Sequence, residues 1–260
     1  MSRPAQVLPL DQVVHRRTYG GKAVTLGRLL RAGLPVPPGL AFPWANHVDG
    51  NLVDSFQSTH HVRGALPVLA VRSSAIAEDG RVASYAGQFE SVLGCYISAE
   101  AYSAARLVRE SASAARVAAY QARHAKTQPG TARVGVIVQL LVNATHSAVI
   151  FTQHPMPSGP SHRTDMVVEI VEGLGDQLVS GRVEPATWEY GQDDGLWAHR
   201  AGRAIEIPAR DELLSLARRC EKVIRAPADV EAAFDGEKWW IVQARPITTL
   251  PKPRRKGAKK

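Results

Sequence analysis

Cysteine is scarce: Cys95 and Cys220 are the only two in 260 residues, and no CxxC pair occurs. That excludes a disulfide framework and a structural zinc site. Long apolar runs are missing as well, none approaching the ~18–20 residues that a membrane helix needs. The start, Met1-Ser2-Arg3-Pro4, lacks the apolar stretch of a signal peptide. The sequence therefore reads as a soluble cytoplasmic protein with no membrane partner. No GxSxG and no Cys/His nucleophile signature appears, which argues against acyl-transfer chemistry of those kinds. His60, His61, His146, His154 and His162 share no metal-ligand spacing and read as structural or solvent-facing.

What is present is globular: 45% hydrophobic and 22% charged residues. A chain of this length makes one large domain or two tight subdomains. The net charge of +8 invites a nucleic-acid reading, but its placement weighs against one. Six Lys or Arg and no acid fall in 251–260, so the remaining residues carry only +2. Like charge mixed with Pro and Gly reads as a solvated, disordered tail.

Periodicity predicts a helix over 21–33, with Val24, Leu26, Leu29 and Leu30 on one stripe and Gly33 ending it. An extended stretch, 34–39, leads to a strand starting at 40–42. A second apolar strand, 66–73, delivers Arg72, Ser73 and Ser74. The Ala-rich segment 99–125 reads as one long helix or two shorter ones. Two β-branched runs, 134–142 and 147–152, are joined by Asn143-Ala144-Thr145-His146 and read as a hairpin. A strand over 166–171, a helix over 211–225 and a hairpin of 229–234 with 238–243, turning at Asp235-Gly236, complete the pass. Helices early and antiparallel strands late suggest an α+β fold.

Three places could carry chemistry. Gly20-Gly21-Lys22 fails the Walker pattern, yet a Lys at a helix start can meet a phosphate as a point charge. Arg72 follows a buried-looking strand and precedes a polar loop containing Gly87, and Arg suits bidentate phosphate contacts. Asp229 and Glu231 lie two apart, so alternation puts both carboxylates on one strand face. Gln243 and Arg245 repeat that spacing on the return strand. Paired in register, these four put acids, an amide oxygen and a guanidinium on one face, a set suited to Mg²⁺ with phosphate oxygens. The rival reading is a surface charge pair.

Taken in order, the blocks GGKAVTLGRLLRAGLPVPPGL (20–40), AVRSSAIAEDGRVASYAGQFESVL (70–93), VGVIVQLLVNATHSAVIFTQHP (134–155), EGLGDQLVSGRVEPATW (172–188) and DVEAAFDGEKWWIVQARPITTL (229–250) cover more than half of the chain. Together they resemble the ATP-binding domain of the pyruvate phosphate dikinase and phosphoenolpyruvate synthase family, which rifampin phosphotransferase shares. The resemblance implies an ATP-grasp fold over 1–250, split at about 130 into two subdomains, 1–130 and 131–250. It implies that Lys22 and Arg72 bind the triphosphate, with the Gly87-Gln88 backbone and Ser91 closing over it. Gln139, Leu140 and Val142 should line the adenine pocket. Glu231 and Gln243 should hold Mg²⁺, Asp229 should support them, and Arg245 should clamp the transferred phosphoryl group.

The resemblance also brings departures. No TSH-type phosphohistidine segment is present, 39–70 is short, Ala148 stands where the family prefers Gly, and Gln153-His154 replace a small-residue pair. The expectation is a stand-alone subunit of a dikinase-type phosphotransferase. It would split Mg·ATP to AMP and phosphate and pass the β-phosphoryl to a histidine on a separate swivelling-domain protein. Pyruvate or another small acceptor, held by that partner or by an acceptor-domain protein, would receive it in the end. The alternatives are a non-catalytic nucleotide-binding regulatory module and a self-sufficient ATP-grasp kinase or ligase.

Overall fold

The computed structural model describes residues 5–61, 65–75, 91–123, 133–155, 165–179, 181 and 183–248, with the side chains of α4 described to Ser111. In chain order the elements are β1 (Leu8–Pro9), a 3-10 turn (Leu10–Gln12), α1 (Arg16–Tyr19), α2 (Gly21–Arg31), β2 (Gly39–Phe42) and α3 (Gly50–Thr59). Next come β3 (Leu69–Ala75), β4 (Ser91–Cys95), α4 (Ser98–Arg123), β5 (Val134–Leu140), β6 (His146–Phe151) and β7 (Met166–Glu172). The chain continues with α5 (Asp176–Val179), β8 (Ala186–Tyr190), β9 (Trp197–Ala201), α6 (Arg210–Ile224), β10 (Ala228–Phe234) and β11 (Trp239–Pro246). The basic segment 251–260 and the loop holding Gly87 and Gln88 lie outside the described residues.

Two antiparallel sheets organise these elements, ordered β1-β2-β5-β3-β4 and β11-β10-β6-β7-β8-β9. This corrects the predicted hairpin of 134–152. β5 pairs with β2 and β3 in the first sheet, while β6 pairs with β10 and β7 in the second. Residues 141–145 are therefore the crossing between sheets. The physical reason is burial: six of the seven β5 residues are buried, so that strand needs neighbours on both edges and a layer on both faces. A division at 130 would cut β5 from its own sheet; the changeover falls at 141–145. Strands are also not confined to the late half, because β1 to β4 of the first sheet all lie before residue 96.

The remaining expectations fare better. The 21–33 helix is α2, closed by Gly33 at φ +71°. The Ala-rich segment is one helix, α4, and 211–225 is α6. β10 and β11 form the expected hairpin, with Gly236 at φ +101° in its turn.

Two cores hold the layers. One face of the first sheet (Phe42, Leu69, Val71, Val136, Val138) packs under α3 and α4, through Val53, Phe56, Ala101 and Val108. The larger core joins Leu26 and Leu29 of α2 and Leu213, Leu216 and Ala217 of α6 to Ile150, Val168, Ile170, Val230 and Ile241 of the second sheet. α2 thus sits between the two sheets. Bonds reinforce this: Ile241 N donates to Pro35 O at 2.7 Å, and Arg219 Nη2 to Gly33 O at 2.9 Å. The result is α+β, two antiparallel sheets enclosing a cleft, the ATP-grasp arrangement that the resemblance implies.

Candidate functional site

The cleft holds a cavity of about 600 Å³. From the first sheet, Ala70, Arg72, Ser91, Leu93 and Gln139 line it. Register explains the grouping: Arg72 pairs with Ser91 and Ile137, and Ala70 with Leu93 and Gln139, so these side chains share a sheet face. The end of β5 supplies Leu140, and the crossing Leu141, Val142 and Ala144. From the second sheet come Ser147, Val149, Glu231 and Ala233, in register with one another in pairs, and Val242. Leu174, from the Gly173-Leu174-Gly175 loop, and Asp176, at the start of α5, close one end.

A bulge shapes the wall between the sheets. Glu231 opposes Gln243 and Ala232 opposes Ile241, leaving Val242 as the extra residue of β11. Its carbonyl, released from the β10–β11 pairing, accepts from Arg72 Nη1 at 3.0 Å. Arg72 therefore spans the cleft from β3 to β11. Gln139 is buried, and its Nε2 donates to Pro37 O at 2.8 Å, fixing β5 to the extended segment before β2.

Lys22 is buried in the first turn of α2 and lies outside the cavity lining. Ser74 Oγ accepts from Ala23 N at 3.0 Å and so serves the helix start, a role the sequence reading missed. Gly20 at φ +87° allows this approach, since a Cβ there would stand 1.9 Å from Ser74 O.

Beyond the cavity, on the same face of the second sheet, Asp229 pairs in register with Arg245, as predicted. Arg245 Nε and Nη2 both bond Asp229 Oδ2, at 2.8 and 2.7 Å, with the two side chains 21% and 10% exposed. Asp229 Oδ1 is buried and has no hydrogen-bond partner among the described residues. Burial, with a smaller push from Glu231, holds the Asp229 carboxyl above its ordinary range despite the opposing charge of Arg245.

Glu169 was missed. It pairs with Val149, which pairs with Glu231, so Gln243, Glu231, Val149 and Glu169 form one cross-strand row. Burial and then the charge of Asp229 raise its carboxyl. The signal was legible: one acid inside the apolar run Met166–Val171. Further out, Glu189 accepts from Arg200 Nε at 2.7 Å and lies 3.1 Å from His154 Nε2. Burial alone would raise the Glu189 carboxyl, but its bonds to Arg200 and His154 bring it below its ordinary value.

Of the predicted site residues, Arg72, Ser91, Gln139, Leu140, Val142 and Glu231 surround one cavity. Gln243, Asp229 and Arg245 continue its second-sheet face, and Lys22 stands apart at the head of α2. Among the described residues no group of three or more His, Cys, Asp or Glu is placed to hold a metal by itself. A cation here must complete its shell from two protein oxygens and a ligand. Glu231 with the Gln243 amide fits that need, and so does the orphaned oxygen of Asp229.

A profile of the pyruvate phosphate dikinase AMP/ATP-binding domain matches residues 40–206. The chain is 29% identical to the prodigiosin synthesizing transferase PigC of Serratia marcescens, over 94% of this chain and 33% of that protein. It is 31% identical to a probable phosphoenolpyruvate synthase of Archaeoglobus fulgidus, over 73% of this chain and 28% of that protein. It is 33% identical to a rifampicin phosphotransferase of a Streptomyces species, over 74% of this chain and 25% of that protein. The chain thus spans about a third or less of the length of these relatives. Among solved structures, the D-alanine–D-alanine ligase of Bacillus anthracis aligns over 88% of this chain and 56% of that one, at 11% identity and a TM-score of 0.45.

Proposed function

Because the chain belongs to the pyruvate phosphate dikinase AMP/ATP-binding domain family, we propose that it binds Mg·ATP in the cleft and acts as the nucleotide-splitting component of a dikinase-type phosphotransferase. The observation that carries the reading is the cavity itself, with a guanidinium on one wall and a carboxylate on the other. A magnesium triphosphate needs both. Gln139 and Leu140 at the end of β5 and Val142 in the crossing take the adenine, and Arg72 and Ser91 the phosphates. Lys22 adds a point charge from the helix start. Glu231 and Gln243 hold Mg²⁺, which when bound neutralises charge on the phosphate oxygens. Asp229 keeps Arg245 aimed at the phosphoryl group to be transferred.

Phosphoryl transfer asks a protein for positioning and charge neutralisation more than for a nucleophile of its own. ATP and water then yield AMP, inorganic phosphate and a β-phosphoryl group on a histidine outside these 260 residues. A small acceptor such as pyruvate receives it last.

The test is calorimetry of Mg·ATP binding, followed by nucleotide analysis with a phosphohistidine-domain protein added. Saturable binding, then AMP and acid-labile phosphoprotein, is expected. Glu231→Ala should weaken Mg·ATP binding about tenfold, to the level seen with chelator. Equal affinity with and without Mg²⁺ in the wild type would remove the metal role. Binding with no cleavage under any condition would leave a nucleotide-sensing module instead.

A further inference from the structure

A second, smaller hollow lies on the α6 side of the second sheet, away from the nucleotide cleft, with a volume of about 280 Å³. Helical spacing builds most of it. Asp211, Ser215, Arg218 and Lys222 follow one another at intervals of four, three and four, so they share one line along α6. That line runs opposite Leu213, Leu216 and Cys220, which face the core. Arg219 stands beside it, while buried Leu214 and half-buried Tyr190 give the hollow its apolar surface.

Three of these residues are cations, and none has an acid within ion-pair distance among the described residues. Glu221, their neighbour in sequence, is engaged by the Thr152 hydroxyl instead. Arg218 precedes Lys222 by four residues and Arg219 precedes it by three, spacings at which like charges on a helix repel. The helix dipole favours Lys222 in the last turn of α6, but both arginines stand before that turn. Both guanidiniums are also held in place. Arg218 lies over the Tyr190 ring, 5.8 Å from its centroid. Arg219 Nη2 donates to Gly33 O at 2.9 Å and to Ala32 O at 3.3 Å. A guanidinium fixed in this way loses little freedom when its remaining N–H groups meet an oxyanion. A multiply charged anion in the hollow would relieve the repulsion among the three cations.

We propose that this hollow binds a phosphate dianion, free or carried on a small organic ester, at a site separate from the nucleotide cleft. Arg218, Arg219 and Lys222 take the phosphate oxygens. The body of an ester lies against Tyr190 and Leu214, with Ser215 and Asp211 beyond to accept from its hydroxyl groups. One helix joins this site to the cleft. Arg219 holds the carbonyls that follow α2, and Lys22 stands in the first turn of that helix, about 16 Å away along its axis.

The experiment titrates inorganic phosphate, and separately phenyl phosphate, into the full chain at constant ionic strength, with Mg²⁺ and AMP-PNP saturating the cleft. One saturable phosphate site is expected, with a rise in melting temperature on binding. Lys222→Gln or Arg218→Gln should each weaken it about tenfold while leaving AMP-PNP affinity unchanged. Tighter binding of phenyl phosphate supports an ester lying on Tyr190 and Leu214; equal binding supports free phosphate. Chloride at the same ionic strength should displace neither. Displacement by chloride, the lack of a saturable site, or equal binding in wild type and both variants overturns the proposal. Failure of AMP-PNP to bind would sink the nucleotide reading, while the dependence on Lys222 and Arg218 would still decide this one.

Discussion

The two walls of the cleft are made of opposite charge on similar scaffolds. The first sheet offers Arg72, Ser91 and Gln139 to the cavity and no carboxylate; the second offers Glu231 to it, with Asp229 and Glu169 alongside. Each sheet turns its other face to an apolar layer, α3 and α4 on one side and α6 with α2 on the other. The contrast in charge therefore lies in the cleft faces and not in the apolar faces that pack the helices. The second wall pays for its charge: it buries Asp229 with one oxygen unpartnered, while the first wall buries no carboxylate among the described residues.

The sharpest break in that contrast is Arg245→Ala. It should abolish turnover and, by leaving Asp229 buried without its partner, cost about 3 kcal/mol of stability by denaturant titration. Arg245→Ala with Asp229→Asn should recover most of the stability and none of the turnover. A stable single variant would mean that Asp229 is less buried than the geometry says.

Next comes the contrast between the two faces of the second sheet. Ile150, fully buried, points to the α6 side, and its neighbour Val149 to the cleft. Ile150→Ala should cost about 3 kcal/mol. Val149→Ala should cost under about 1 kcal/mol and shift nucleotide affinity instead. Similar stability losses for both would remove the distinction.

The smallest effect is a pH dependence. The folded Glu169 carboxyl titrates above its unfolded value. Its contribution to stability is complete below the unfolded pKa and fades as pH rises through the folded one. Glu169→Gln removes that fading, so the variant should gain on the wild type as pH climbs through the raised carboxylate range. Melting curves from pH 4 to 8 that stay parallel would contradict this.

Much of this was legible locally. The β10–β11 hairpin announced itself through alternation and an Asp-Gly turn, and its register delivered Glu231 opposite Gln243 and Asp229 opposite Arg245. β5 and β6 looked like the same thing and were not. Two buried β-branched runs four residues apart carry no local mark that tells a hairpin from a crossing between sheets. The helix α3 and the strands β8 and β9 were not foreseen either. Their exposed or mixed patterns gave little periodicity, and β9 has only half-buried and exposed residues. Glu169 stayed hidden for a related reason, since its proximity to Asp229 arises only once β6 lies between β7 and β10.

The sequence by itself determined the family, the α+β class and most of the charged residues proposed for the site, because these depend on residue identity, order and period-two alternation within single strands. The tertiary structure alone decided which strands share a sheet, where one sheet hands over to the other, and that bulges turn the Val242 carbonyl to Arg72 and the Arg200 side chain to Glu189. The sheet memberships of β3 and β5 and the Arg72–Val242 contact join segments about 60 to 170 residues apart, and no local pattern encodes which distant edge a strand will find; the Arg200–Glu189 contact spans only 11 residues and is set by the β8–β9 bulge.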